Sequence, residues 1–477
     1  MARNGPINLP PNLAARINTG LVIKCGLPIL VFLVVLLAPT PAGLTEPGQR
    51  ALAVMLLAVV LWATEALPIA VTGLLGIVLL VITGAVPDEV TALYGFSRPV
   101  AYFLIGILGL GLAVHQSGLA ERMASYLLRV AGGSPRLLYV QMLLSFVVLT
   151  FALPSAGTRG AILVHIYEQV MDHWQIPREH PLHQAIMLAM SVLNRLASTA
   201  LLAGGITPVV ASELLGGFSW TRWFVLMSVP FYANLVVGGL LLYLLYRAGF
   251  KLENRANFFG LASGPLKPIE IRAAIIVAGT SLLWITDFAH GLHPAIPALI
   301  ALVFILTPVI GILSWQDFER NVGWSNFIVI ASSLSLANAL VTSGGAGWFS
   351  QTLVGTVGGL PQQPVVLLLA IAVACAGVRL VLPNIAGYLA LMIPIVMATG
   401  LSLGLNPLVC GMVAVVVGDS VVYYPAGSTA SVFIFQRAQI PARDVLRFGL
   451  VMVVVTIAVS LLLAVPYWNW VGEPLTG

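Results

Sequence analysis

The sequence predicts an all-α polytopic membrane protein: about eleven transmembrane helices plus two re-entrant hairpins, arranged in two inverted-topology repeats. Three observations carry this reading: the composition, the spacing of the apolar stretches, and the doubling of an interrupted motif. Of the 477 residues, 59% are hydrophobic and 8% are charged, with a mean hydropathy of +1.01. A water-soluble surface needs more charge than that to stay solvated. Eleven helices of about 20 residues and two hairpins of about 35 use roughly 290 residues, which leaves short loops and no sizeable soluble domain. The composition excludes a soluble enzyme, a disordered chain and a nucleic-acid module. The net charge of +5 does not point to nucleic acid, because the basic residues stand singly among the loops. Cys25, Cys375 and Cys410 all fall in apolar runs, which gives neither a disulfide framework nor a paired-cysteine metal site.

Candidate spans run near 21–38, 51–69, 71–87, 99–116, 185–212, 223–246, 272–289, 297–314, 325–342, 404–435 and 448–469. Two further apolar stretches, near 138–172 and 364–400, are interrupted in the middle by proline and polar residues. Each reads as a hairpin that enters and leaves on one side. Eleven crossings put the termini on opposite faces, and the basic residues choose between the two orientations. With the N-terminus cytoplasmic, sixteen Lys and Arg residues lie in inside segments, whereas the outside loops hold only Arg50, Arg98 and Arg222. The remaining three, Arg159, Arg195 and Arg379, sit at membrane depth. The expected location is the cell (inner) membrane, with the C-terminus outside. The opening residues lack an apolar core and a cleavage site, so the first span is expected to be retained.

The chain repeats itself weakly. Leu153-Pro154-Ser155-Ala156-Gly157 precedes Leu382-Pro383-Asn384-Ile385-Ala386 by about 229 residues, and Pro68 has Pro297 at the same offset. In both halves the hairpin is followed by a span with a break: Gly204-Gly205-Ile206-Thr207-Pro208 in the first and Pro425-Ala426-Gly427-Ser428-Thr429 in the second. Proline removes a helical hydrogen bond and glycine tolerates unwound geometry, so both spans are expected to be discontinuous. An odd number of crossings per unit inserts the second unit upside down, the plan of many secondary transporters. The expected division is 1–50 for an N-terminal segment and the first helix, 51–247 for the first repeat, 248–271 for a cytoplasmic linker and 272–477 for the second repeat. The basic loop ahead of the first hairpin has a polar-poor partner in residues 343–347.

Non-helical backbone at membrane depth persists only where protein or a watery cavity satisfies it. Four such breaks therefore imply one shared cavity. Half-helices that begin after Pro154 and Pro383 aim free N–H groups and a partial positive charge into it, which suits an anion. The expected substrate-contacting residues are Ser155, Ala156, Gly157, Thr158 and Arg159 at the first tip, Asn384, Ile385, Ala386 and the nearby Arg379 at the second, and Thr207, Pro208, Ser428 and Thr429 at the breaks. Arg159 and Arg379 equally suit structural roles, holding helix-end carbonyls or an acid. Asp419, the one carboxylate deep in a predicted span, is read either as a site for a coupling cation or proton or as an ion-pair partner of Arg195 or Arg379. Asn194 and Arg195 are read as site-lining or helix-packing residues, and Glu65 as structural. His173, Glu179, His180 and His183 crowd together but match no metal-site spacing, and are expected in a solvated turn. No nucleophile, dyad or P-loop constellation is present, so neither an enzyme nor an ATP-driven pump is expected, and no cofactor is required.

At Trp62-Ala63-Thr64-Glu65-Ala66-Leu67-Pro68-Ile69-Ala70-Val71-Thr72-Gly73-Leu74-Leu75 the chain resembles the divalent anion/sodium symporter family of the ion transporter superfamily, whose members carry a similar Thr-Glu-Ala-Leu/Ile-Pro signature. The order of hairpins, broken spans and the 437–447 loop extends the likeness over nearly the whole chain. The resemblance implies an elevator-type homodimer carrying sulfate, dicarboxylates or citrate, usually with Na⁺. Candidate Na⁺ ligands on that basis are Ser155, Gly205, Asn384, Asp419 and Gly427. The family marks each hairpin tip with Ser-Asn-Thr, whereas the tips here read Ser155-Ala156-Gly157 and Asn384-Ile385-Ala386. From that departure follows the expectation that the Arg159 guanidinium replaces the Na⁺ charge in a Na⁺-independent exchanger or uniporter. An arsenite- or citrate-type proton-coupled permease, and an anion channel on the same fold, are the competing readings.

Overall fold

The computed structural model describes residues 19–129, 132–153, 155–253, 264–357, 363–424, 434–435 and 437–476. Among them the secondary structure is helical throughout, and nine helices are long and apolar enough to cross a membrane. In chain order, α1 is Thr19–Leu37, α2 Glu46–Thr64, α3 Ile69–Ile82, α4 Pro99–Ser117 and α5 Leu119–Arg129. The first hairpin is α6 (Pro135–Ala152) and α7 (Ala156–His173). A span in three pieces follows, α8 (Pro181–Val192), α9 (Asn194–Thr199) and α10 (Ile206–Leu214), and then the long α11 (Trp220–Leu245). The second half holds α12 (Pro268–Ile285), α13 (Ala295–Leu306), α14 (Trp324–Thr342) and α15 (Gly345–Val357). The second hairpin is α16 (Pro364–Val381) and α17 (Ile385–Ser402), followed by α18 (Pro407–Ser420). The last helix, α19, runs from Ala442 to Trp470 and contains one π turn at Ser460–Ala464.

The repetition in the sequence reappears in the helix ends. Pro135, Ala152, Ala156 and His173 bound the first hairpin, and Pro364, Val381, Ile385 and Ser402 bound the second at one constant offset of 229 residues. Ser155 (φ −76°, ψ 111°) and Asn384 (φ −77°, ψ 115°) cap the second helix of each hairpin with nearly the same backbone. Each side chain accepts a hydrogen bond from the amide three residues on, Thr158 N at 3.2 Å and Gly387 N at 3.0 Å, as short polar N-caps do. The two halves also exchange packing partners, α4 lying on α13 and α14 on α3.

Two elements differ from expectation. The segments ahead of the hairpins are helices, α5 and α15, rather than loops. Leu119, Ala120, Ala124, Ser125 and Leu128 lie buried along one side of α5 while Arg122 and Arg129 stay more accessible, so a basic but amphipathic sequence folds as an interfacial helix. Of the four clustered polar residues, His173 and Glu179 are exposed at the 173–180 turn and His180 is half-buried there, so only His183 departs from the expected solvated turn. His183 is buried on α8 and His180 caps that helix, its ring nitrogen accepting from Leu182 N at 3.2 Å. No three-residue metal-binding group of His, Cys, Asp or Glu occurs among the described residues. Cys375 and Cys410 are buried and unbridged.

Burial grades from centre to edge. Residues Val409–Ser420 of α18 are buried all round, whereas only 28% of the apolar window of α12 is buried. A helix apolar on every face but covered on few of them presents the remainder to lipid. Close approach of α4 to α13 rests on Gly106, where a Cβ would stand 2.6 Å from Ala298 Cβ and 2.8 Å from the Ala298 carbonyl carbon. Small residues at such crossings let helix backbones approach where no hydrophobic force drives association. Gly106→Leu is therefore expected to destabilise the detergent-solubilised protein by about 1–3 kcal/mol through overpacking, read as a lower melting temperature. Gly279→Leu, at a position with nothing within 4 Å, is the control expected to leave it unchanged.

Candidate functional site

A cavity of about 420 Å³ lies where the breaks meet. Its lining includes Ser155, Ala156 and Gly157 from the first tip, Asn384, Ile385 and Ala386 from the second, and Gly205, Thr207, Pro208 and Asp419 from the broken spans. Three helix N-termini therefore open on one space: α7 behind Ser155, α17 behind Asn384 and α10 behind Gly205. Gly205 holds φ 153° and ψ −160°, a region essentially reserved for glycine. It makes no side-chain cap, and the first amides of α10 are left facing the cavity.

The buried arginines divide the work differently from the sequence expectation. Arg159, fully buried, donates from Nε to Asn194 Oδ1 (2.6 Å), from Nη1 to the Leu153 carbonyl (2.9 Å), and from Nη2 to the Asn194 carbonyl (2.8 Å) and Ser198 Oγ (2.5 Å). Asn194 Nδ2 in turn donates to the Ala156 carbonyl at 2.9 Å. Arg379 donates from Nε to the Gly418 carbonyl at 2.8 Å and from Nη1 to the Leu382 carbonyl. Leu153 and Leu382 are the equivalent last residues before the two tips, so each tip is held by one guanidinium. Neither arginine lines the cavity. Arg159 and Arg379, expected at the substrate and, for Arg159, in place of the Na⁺ charge, put these donors on helix-end and tip carbonyls and neighbouring side chains; the carbonyls have no water to turn to at this depth. Thr158 also stays off the cavity lining, its hydroxyl bonded to Ser155 Oγ at 3.1 Å.

Arg195 is the guanidinium that lines the cavity. Its Nη2 donates to the carbonyls of Asp419 and, at 3.0 Å, Val421, closing the C-terminal end of α18, and stands 3.7 Å from Asp419 Oδ1. Its Nε is buried with no hydrogen-bond partner among the described residues. Asp419 accepts from the hydroxyls of Thr199 and, at 3.2 Å, Thr207. A carboxylate at a helix C-terminus opposes the helix dipole, and the adjacent Arg195 offsets that. The other end of the break, the Thr199 carbonyl closing α9, accepts from Trp223 Nε1 at 3.0 Å.

Sequence reasoning passed over Thr199 and Trp223, which belong to no motif and reach the site only through folding. Glu65 was read as structural, yet it lines the cavity in the left-handed conformation, φ 51°, at the end of α2, three residues ahead of Pro68. Asn326 of α14 also lines it. Gly427, Ser428 and Thr429 lie outside the described residues, as does Pro154.

Comparison with known proteins agrees with this architecture. Residues 20–473 match the family model described as the sodium:sulfate symporter transmembrane region. A Cupriavidus necator "membrane protein" is 27% identical, covering 93% of this chain and 92% of its own length. The L-tartrate/succinate antiporter of Escherichia coli K12 is 24% identical, covering 91% and 96%. Two solved structures share the fold. The Alcanivorax borkumensis YdaH transporter has a TM-score of 0.51 at 17% identity over 91% of this chain and all of its own. Neisseria gonorrhoeae MtrF has a TM-score of 0.53 at 12% identity, covering 92% and 97%. With the helical bundle, the paired hairpins and a match over almost the full length, the chain belongs to the divalent anion/sodium symporter family and is an anion transporter rather than an enzyme.

Proposed function

We propose that the protein is a secondary active carrier of small dianions, of the size of sulfate, succinate or tartrate, across the cytoplasmic membrane. The observation that carries this reading is the convergence of three helix N-termini and the Arg195 guanidinium on one cavity of about 420 Å³, within the ~300–1,000 Å³ range of small-molecule sites. Helix N-termini each contribute about half a positive charge, so the cavity favours an anion without enclosing a full cation shell. The 24% identical antiporter's tartrate and succinate are the probes of choice because both fit this chemistry.

Arg195 puts a fixed guanidinium, paired with Asp419, on the cavity wall, which supports a carrier that does not use Na⁺. Its guanidinium 3.7 Å from Asp419 disfavours a metal cation at that carboxylate, and Ser155 and Asn384 spend a side-chain oxygen on their own helix amides. The family resemblance and the grouping of the elements support an elevator movement in a homodimer. The hairpins, α8–α11, α18 and α19 form the moving body, and α1–α4 and α12–α14 form the fixed one. Arg98 at the start of α4 and Glu213 on α10, 2.5 Å apart, then join the two bodies. The 16-to-3 basic split supports a cytoplasmic N-terminus and an outside C-terminus.

Three outcomes are expected. Proteoliposomes preloaded with unlabelled succinate take up labelled succinate saturably and faster than empty vesicles, with no requirement for Na⁺; non-saturating flux indifferent to the opposite side would instead indicate a channel. Arg195→Lys keeps the charge but loses the planar fork, and raises KM at least about tenfold, whereas Arg159→Ala lowers the melting temperature by orphaning the Leu153 and Asn194 carbonyls, at about 1–3 kcal/mol each. Finally, cysteines at 98 and 213 bridged by a short bis-maleimide stop uptake while either single cysteine does not; full transport by the bridged protein would exclude an elevator that separates these elements.

A further inference from the structure

We propose that Asp419 is a proton-coupling site: it takes up one proton with each bound dianion and releases it on the other side of the membrane. The inference rests on the carrier reading above and specifies its coupling ion.

The argument begins with charge. The titratable and charged groups around Asp419 among the described residues are Arg195 on α9, Arg379 on α16, Tyr388 on α17, whose ring lies against Gly418, and Glu65 across the cavity. Arg379 keeps its charge while bonded to the neutral Gly418 and Leu382 carbonyls, so the two guanidinium groups, Arg195 and Arg379, stand against the two carboxylates, Asp419 and Glu65, and the empty cavity is neutral. A dianion seated against Arg195 leaves two excess negative charges at membrane depth, where charge is costly. Protonation of Asp419 reduces that excess to one, which the three helix N-termini, each worth about half an elementary charge, can offset. The bound dianion also draws on the Arg195 guanidinium, 3.7 Å from Asp419 Oδ1, and adds a like charge beside that carboxyl. A neutral carboxyl is the form that sits beside the anion without repelling it.

The hydrogen bonds around Asp419 suit both states. Its side-chain donors are the hydroxyls of Thr199 and Thr207, which can turn from donor to acceptor. A backbone N–H or a guanidinium in their place would be left facing a proton it could not accept. Arg195 lines the cavity and its Nε is buried without a hydrogen-bond partner among the described residues, next to the carboxylate whose charge must change when an anionic ligand arrives. The proton comes from water on the side to which the cavity is open and returns to water on the other, with no bond between heavy atoms made or broken.

Linkage fixes the sign: if the anion promotes protonation, protonation tightens the anion to the same extent. Sulfate is the probe of choice because its own charge does not change between pH 5.5 and 8, roughly the range in which only protein groups titrate. Full-length protein is reconstituted with a pH dye inside the vesicles, and labelled sulfate and labelled succinate uptake is followed with the outside acidic. The expected result is accumulation driven by the pH gradient, inward proton movement with the substrate, and a KM that falls as pH falls, by at most about tenfold per unit for one proton. In Asp419→Asn the proton-to-substrate ratio falls to about zero at whatever rate remains, and the pH dependence of KM is lost. The inference is overturned if wild-type protein exchanges labelled substrate but ignores the pH gradient, a result that needs no variant to fold, or if Asp419→Asn still moves protons with substrate. No saturable uptake of either label by wild-type protein would instead defeat the carrier reading itself.

Discussion

Helix ends at membrane depth leave carbonyls that water cannot reach, and the need to satisfy them organises the interior of this protein. The tip carbonyls of Leu153 and Leu382 are held by Arg159 and Arg379, the end of α18 by Arg379 and Arg195, and the end of α9 by Trp223. Three arginines at this depth would be prohibitively costly as isolated ions. Here each is enclosed by the backbone oxygens that require it, so two liabilities of a membrane interior cancel. The cavity exists because the breaks exist, and the breaks persist because these side chains close them.

Amino ends and carboxyl ends are treated differently. The carboxyl ends are sealed with guanidinium and indole donors. Those of the amino ends that face the cavity are capped only by single short side chains, Ser155 and Asn384, or by none, at Gly205. Sealing one kind of end while leaving the other incompletely satisfied gives the cavity its sign. A cavity built the opposite way, with open carbonyls and sealed amides, would select cations from the same fold.

Much of the architecture was legible in the sequence because it rests on one-dimensional signals. Hydropathy located the spans, and the Leu-Pro pairs at residues 153 and 382 located two hairpins whose ends repeat at a constant offset. The tip residues Ser155 and Asn384 and the broken-span residues Thr207 and Asp419 were legible as cavity candidates for the same reason, since proline and glycine announce a break. What a guanidinium donates to was not. Arg159 stands four residues beyond Ser155 and resembles a ligand in the sequence, but Asn194 and Ser198, brought to it by the packing of α9 on α7, claim its donors. Thr199 and Trp223 carried no signal, because their roles depend on where α9 stops. The helix α5 was hidden by its own charge, since a basic stretch reads as a loop until its apolar side is counted.

The constant offset between the hairpins has a consequence for how such a protein can vary. Each hairpin arm is 18 residues long, about 27 Å at 1.5 Å per residue, so an arm acts as a ruler that sets the depth of its tip. One added residue would shift a tip by about 1.5 Å and rotate it by about 100°, displacing Ser155 or Asn384 from the cavity wall. The other units are spaced less strictly, as Pro181 and Pro407 at the starts of α8 and α18 differ by three residues from the hairpin offset. Loops between elements are therefore free to lengthen and shorten, while the two rulers must keep a common length for both tips to meet one substrate.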